Sequence, residues 1–191
     1  MTVSHDADHF RRLYAHSADP WAFRTSPNEQ EKYRRTIEAL GERRFRSGFE
    51  PGCSIGVLTR MLATRCDALL AGDIVEEPLN TARISCDDQP WVRFVRLRIP
   101  AEWPDGQFDL IVLSEVLYFL SCRDIAAVAA RTLACLDTDG VVLSVNWRGH
   151  GDDPCGGDEA ATILLNQTHQ ALRVASCCRT ASYRMELLVR R

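Results

Sequence analysis

Lysine is almost missing: Lys32 is the only one in 191 residues, and arginine carries the rest of the positive charge. Acidic residues outnumber basic ones, 26 to 23, for a formal net charge of −3. No general basic field is present to attract nucleic acid. One local stripe (Lys32, Arg34, Arg35, Arg43, Arg44, Arg46) is interleaved with Glu29, Glu31, Glu38 and Glu42. Mixed signs at helical spacing predict a solvated helix face. Long apolar runs are also lacking, which excludes a helical membrane span, and the start, Met1 to Phe10, is polar where an export signal would be basic and then apolar. The expected location is the cytoplasm, with neither membrane nor nucleic acid as partner. The eight cysteines form no CxxC pair, and none stands at ligand spacing from a histidine. They are expected to be small buried hydrophobes rather than disulfide partners. His5 and His9 alone make no metal site, and none is expected.

The length suits one domain, 1–191. After two helices, Asp6 to Tyr14 and Pro27 to about Arg44, strands and helices alternate. Strands are expected at Arg44–Glu50, Ala68–Ile74, Trp91–Leu97, Phe108–Ser114 and Val141–Trp147, the last entered through an Asp139-Gly140 turn. Helices are expected over Ile55–Cys66 and Glu77–Cys86. Another is marked by Ile125, Val128, Ala129, Leu133 and Leu136, and a last runs from Asp158, as N-cap, to about Val174. A Gly/Asp/Pro-rich loop spans Arg148 to Gly157, and Ala175–Arg191 reads as an antiparallel hairpin. This alternation predicts an α/β fold, a Rossmann-like doubly wound sheet with helices on both faces. Residues 1–44 would be an N-terminal helical lid and 45–191 the core.

In such sheets ligands sit beyond the carboxyl ends of the strands. The first strand ends in Glu50-Pro51-Gly52-Cys53-Ser54-Ile55-Gly56, where Gly52 and Gly56 let the turn approach a ligand closely. The second ends at Asp73, about where an acid would accept from ribose hydroxyls. A nucleoside-bearing cofactor is indicated. The dinucleotide fingerprint would need glycine at Ser54 and Val57, which argues against NAD or FAD. Acid-x-Gly-x-x-x-Gly suits a cofactor with a methionine ammonium and no pyrophosphate, with Glu50 supporting that cation.

Together with Asp19-Pro20-Trp21, Glu29 to Tyr33, FDLIVLSEVLYFL at Phe108 to Leu120, Asp139-Gly140, Trp147-Arg148 and Gly157-Asp158-Glu159, this loop resembles the nodulation protein S (NodS) family of class I methyltransferases. The resemblance implies a seven-stranded sheet, S-adenosylmethionine (SAM) as donor and S-adenosylhomocysteine (SAH) as product. It implies cofactor contacts at Trp21, Glu50, Gly52, Cys53 and Gly56 and a ribose acceptor in Asp73. Ile74 would pack on the adenine, Ile99's backbone would read it, and Ser114 would face the reacting centre. Departures occur at Arg98, where an acid is common, at Asn28 in place of tyrosine, and at Asn146 and Ala161 in place of histidine.

Methyl transfer from a sulfonium asks the protein to align a nucleophile and keep its lone pair free. Glu115 is the candidate to orient or deprotonate it, with Tyr118 beside it. Trp147 and Arg148 are candidate acceptor contacts, an aromatic face suiting a sugar. His150, in the same loop, is expected to be solvated. The acceptor implied is a small molecule, the amine of an amino sugar or glycan. Two alternatives stay open: methylation of a secondary metabolite on N or O, and SAM binding with little catalysis.

Overall fold

The computed structural model describes residues 2–149 and 151–191; His150 lies outside the described residues. The chain forms two compact units, Asp6–Leu97 and the remainder, in which the stretch ending at His5 joins Arg98–Arg191.

In the first unit α1 (Ala7–His16) starts from Asp6, whose side chain accepts from the His9 N–H at 2.9 Å. Helix α2 (Pro27–Ala39) is capped by Ser26 and has proline at its start, where the missing N–H costs nothing. It stops short of the predicted Arg44 because Gly41 takes a left-handed φ of 62°, the usual chain reversal after a helix. The charged stripe is solvated as expected at Glu31, Arg34, Arg35 and Glu38, which pair with one another. Lys32 departs from it: buried, it pairs with Glu29 at 2.7 Å.

Strand β1 (Gly48–Pro51) is shorter than predicted. Phe45 makes only an isolated bridge to Cys66, and regular pairing begins at Gly48. Strand β2 (Leu69–Asp73) pairs parallel with β1, and β3 (Val92–Arg96) parallel with β2. The crossovers are α3 (Val57–Leu62), followed by a single 3₁₀ turn, and α4 (Glu76–Ser85). Parallel pairing needs such crossovers, and it brings the carboxyl ends of β1 and β2 side by side.

The second unit is built on β4 (Phe108–Ser114), every residue of which is buried. Helix α5 (Cys122–Cys135) returns the chain to β5 (Leu136–Trp147), parallel to β4. Asp139-Gly140 is not a turn. It lies inside β5, whose register shifts so that Phe108 meets Leu136 and Leu110 meets Val141. A bulge takes up the extra residues that looked like a loop in sequence. Helix α6 (Gly157–Thr168) is capped by Gly156; Asp158, expected as the cap, stands in the first turn. The helix also ends earlier than expected, because Leu172 turns inward to open β6 (Leu172–Arg179). Strand β7 (Tyr183–Arg190) pairs antiparallel with both β6 and β5, so the predicted C-terminal hairpin is present and starts three residues sooner. Among the described residues seven strands, mostly parallel with antiparallel strands at the C-terminus, alternate with helices in the mixed α/β class. Among the described residues no helix is long and apolar enough to cross a membrane.

Candidate functional site

In the first unit the chain leaves β1 through three residues of left-handed backbone: Gly52 (φ 80°), Ser54 (φ 50°) and Gly56 (φ 79°). The Gly52 and Cys53 N–H groups both donate to the Gly72 carbonyl, at 2.7 and 2.9 Å, tying the loop to the end of β2. A Cβ on Gly56 would lie 2.8 Å from the Ala82 Cβ, so only glycine lets α3 start this close to α4. Asp73 closes the arrangement: its carboxylate accepts from the Ser54 N–H at 2.9 Å and the Val75 N–H at 3.0 Å. The Ile74 N–H also donates to it; a carboxylate offers about four lone-pair sites, so these three backbone donors leave capacity for another. Burial lifts the Asp73 pKa from 3.8 to about 6 against the pull of those N–H groups. Ile74, half-buried, follows it.

Glu50 points inward from β1. Its carboxylate accepts from the Thr59 hydroxyl at 2.6 Å, and burial raises its pKa from 4.5 to about 8. Burial, followed by the charges of Asp73 and Glu50, holds the neighbouring Cys53 thiol far above its ordinary value. These buried acidic groups fit a ligand that brings positive charge.

Sequence reasoning missed Tyr14. Its hydroxyl lies 2.6 Å from the Ser54 Oγ, and burial, with the nearby Asp73 charge, keeps it protonated. The Tyr14 ring meets Trp21 edge-on at 5.7 Å, and Trp21 stacks on Phe23 at 5.4 Å. Trp21 thus reaches the glycine loop through Tyr14. The aromatic residue at the end of a short amphipathic helix was the only signal, and it read as packing.

In the second unit β4 delivers Ser114 and Glu115. Glu115 adopts a left-handed φ of 56°, and its N–H donates to the Val145 carbonyl at 2.8 Å. Its Oε2 accepts from the Tyr118 hydroxyl at 2.7 Å and the Trp147 N–H at 3.1 Å. Three of the predicted residues therefore converge, with the Tyr118 and Trp147 rings 6.4 Å apart. Tyr118 and Trp147 line a pocket together with Gly149, Gly151, Asp153, Cys155, Gly156 and Gly157. Glycine at 149 and 157 is required there, since a Cβ would fall 1.8 Å from the Trp147 ring and 1.7 Å from its carbonyl oxygen.

Arg148 is not part of this lining. Its Nε donates to Asp158 at 2.9 Å and its guanidinium also reaches the Thr180 carbonyl. Asp153, which is, went unread in a loop dense with Gly and Asp; His5 holds it at 3.3 Å. His5 comes from the far end of the chain, fixed by Ser4, whose hydroxyl accepts from the Ser121 N–H at 2.8 Å and donates to Asp124. Ile99 is buried at the start of this unit, next to exposed Arg98, whose N–H is taken by Glu102. Asn146, fully buried, donates to the Ser144 hydroxyl at 2.9 Å.

The nodulation protein S (NodS) family profile matches residues 4–181. Nodulation protein S of Bradyrhizobium diazoefficiens is 28% identical over 182 residues, covering 90% of this chain and 85% of that protein. A crystal structure from Pseudomonas syringae, provisionally assigned as a methyltransferase, is 34% identical, with a TM-score of 0.75 over 85% of this chain and 99% of that one. N-methyltransferase NodS from Bradyrhizobium japonicum WM9, crystallised with SAH, superposes with a TM-score of 0.83 over 96% of this chain and 97% of its own at 22% identity, a likeness of fold.

Proposed function

This chain belongs to the nodulation protein S (NodS) family and is a SAM-dependent methyltransferase, and from that premise we propose that it methylates the amine of a small acceptor, an amino sugar or glycan. The observation that carries the acceptor class is the pocket in the second unit. Among the described residues its charged lining side chain is the carboxylate of Asp153, its walls include the faces of Tyr118 and Trp147, and Glu115 bonds the Tyr118 hydroxyl and the Trp147 N–H. An anionic pocket with aromatic walls suits a cationic amine on a sugar ring.

SAM would supply the methyl group from a sulfonium, so that the neutral thioether of SAH leaves without acid assistance. Gly52 and Gly56 give backbone room for the methionine portion, with Cys53 between them, and Glu50 offers the buried carboxylate for its ammonium. Asp73 accepts from the ribose hydroxyls, and Ile74 packs on the adenine. Trp21, braced by Tyr14, lies over the loop as part of the lid formed by α1, α2 and the stretch between them. Ile99 and Ser114 keep the cofactor roles that family resemblance gives them. At the acceptor, Glu115 takes the proton that must leave the amine before its lone pair can attack, and the Tyr118 hydroxyl orients that carboxylate. Trp147 stacks on the sugar, Asp153 binds the incoming ammonium, and Arg148 acts at one remove by fixing Asp158. The reading includes one functional domain, a cytoplasmic location and a small-molecule partner, consistent with the net charge of −3.

Calorimetry with SAM, SAH and NAD, alongside a screen of amine-bearing glycans for SAH release, tests it. Asp73→Ala is expected to weaken SAH binding at least tenfold, and Glu115→Gln to keep that affinity while turnover falls roughly a hundredfold. NAD binding in place of SAM, or unchanged affinity in Asp73→Ala, would refute the assignment.

A further inference from the structure

Cys122, Cys155 and Glu159 are scattered in sequence and carry no ligand signature there. Folding brings one donor atom of each to within 4.8 Å of the other two. Cys122 opens α5, Glu159 lies in the first turn of α6, and Cys155 stands just before α6. The Cys122 Sγ is 4.0 Å from the Glu159 Oε1. We propose that these three side chains bind a thiophilic divalent cation of the zinc class.

Two sulfurs and a carboxylate oxygen are donors that such an ion accepts in tetrahedral geometry, with bonds of roughly 2.0–2.3 Å. Tetrahedral angles then place neighbouring sulfurs roughly 3.8 Å apart, so the donors need to close by about 1 Å or less. Cys155 is buried, whereas Cys122 and Glu159 are exposed. The fourth position therefore faces solvent and takes water. Two thiolates and a carboxylate around a divalent ion leave one excess negative charge, and the N-terminal ends of α5 and α6, worth about half a positive charge each, face it. Glu159 has no part to play in a disulfide, which is why the geometry favours a cation over an oxidised pair.

The site has a mechanical consequence. Cys155 lines the acceptor pocket, and its N–H donates to the Tyr118 carbonyl at 3.2 Å. Holding its sulfur against α5 fixes the end of the loop that carries Asp153 and Gly156.

The test uses the full chain, reduced and stripped of metal, titrated with Co(II) and then Zn(II). Expected are one equivalent of Co(II), sulfur-to-cobalt charge-transfer absorption, displacement by Zn(II), and protection of Cys122 from alkylation by Zn(II). Cys122→Ser and Glu159→Gln, both at exposed positions, are expected to weaken binding at least tenfold, and Cys177→Ser not to change it. Absence of the charge-transfer band, its persistence at full strength in Cys122→Ser, or a Cys122–Cys155 disulfide that forms equally with Zn(II) present would overturn the proposal. SAH affinity, measured on the same samples, reports the cofactor site independently and is expected to stay constant.

Discussion

Replacing Glu50 with glutamine removes an ionisation that the fold opposes. Glu50 is 2% exposed and its pKa is raised from 4.5 to about 8, chiefly by burial. A carboxyl group that holds its proton more tightly when folded stabilises the native state at low pH. That stabilisation is whole below the unfolded pKa near 4.5, declines as pH rises, and is gone above about 8. At about 1.4 kcal/mol per pH unit, the full span is worth about 5 kcal/mol. Roughly half of it, about 2 kcal/mol, is lost between pH 6 and pH 8. Asp73 titrates in an earlier window, its pKa rising from 3.8 to about 6, so it contributes little there.

Urea denaturation at pH 6, 7 and 8 and constant ionic strength, followed by circular dichroism, reads the difference directly. The wild-type chain is expected to lose about 2 kcal/mol across that interval and Glu50→Gln to stay level within about 0.5 kcal/mol. The slope is the sharper quantity, because any packing cost of the amide is the same at every pH. An equal slope in both proteins would show that Glu50 is already charged at pH 6, and the proton release expected on SAM binding would fall with it.

The same group predicts that SAM binding at pH 7 releases a proton, since a cation beside Glu50 favours its charged form; binding enthalpy should then vary with the ionisation enthalpy of the buffer, and a buffer-independent value would count against it. Gly56→Ala combines a φ of 79° with a Cβ 2.8 Å from that of Ala82 and is expected to cost about 3 kcal/mol by denaturation. Gly41→Ala, at φ 62° with nothing within 4 Å, should cost about 1 kcal/mol. Tyr14→Phe removes the bond to Ser54 and is expected to weaken SAH binding threefold to tenfold, about 1 kcal/mol by calorimetry; unchanged affinity would leave α1 as packing only.

Legibility in the sequence followed the range of the forces involved. Phe108–Ser114 matched its predicted bounds because its mostly apolar residues are buried on both faces of the sheet. The glycine loop was legible because positive φ at Gly52 and Gly56 restricts residue type there. Asp139-Gly140 misled, since a pair that usually turns the chain was absorbed by a bulge set by pairing with β4. Asp158 misled in the same way: good capping chemistry was drawn instead to Arg148 and Arg179. His5 beside Asp153, Tyr14 on Ser54, and Cys122 near Cys155 and Glu159 each join distant segments. No local pattern announces such pairs.

Among the described residues three that are not glycine have positive φ: Ala22, Ser54 and Glu115. Each position costs of order 1–3 kcal/mol, which glycine would largely avoid. All three stand in segments assigned a role from sequence alone: beside Trp21, within the glycine loop, and at the end of β4. At two of them the side chain explains the cost. The Ser54 hydroxyl holds Tyr14. Glu115 collects the Tyr118 hydroxyl and the Trp147 N–H on one oxygen. Glycine would relax the backbone at either point and lose those partners. A chain shaped for stability alone would favour the relaxed form; keeping the strained one is what a site built around those side chains requires.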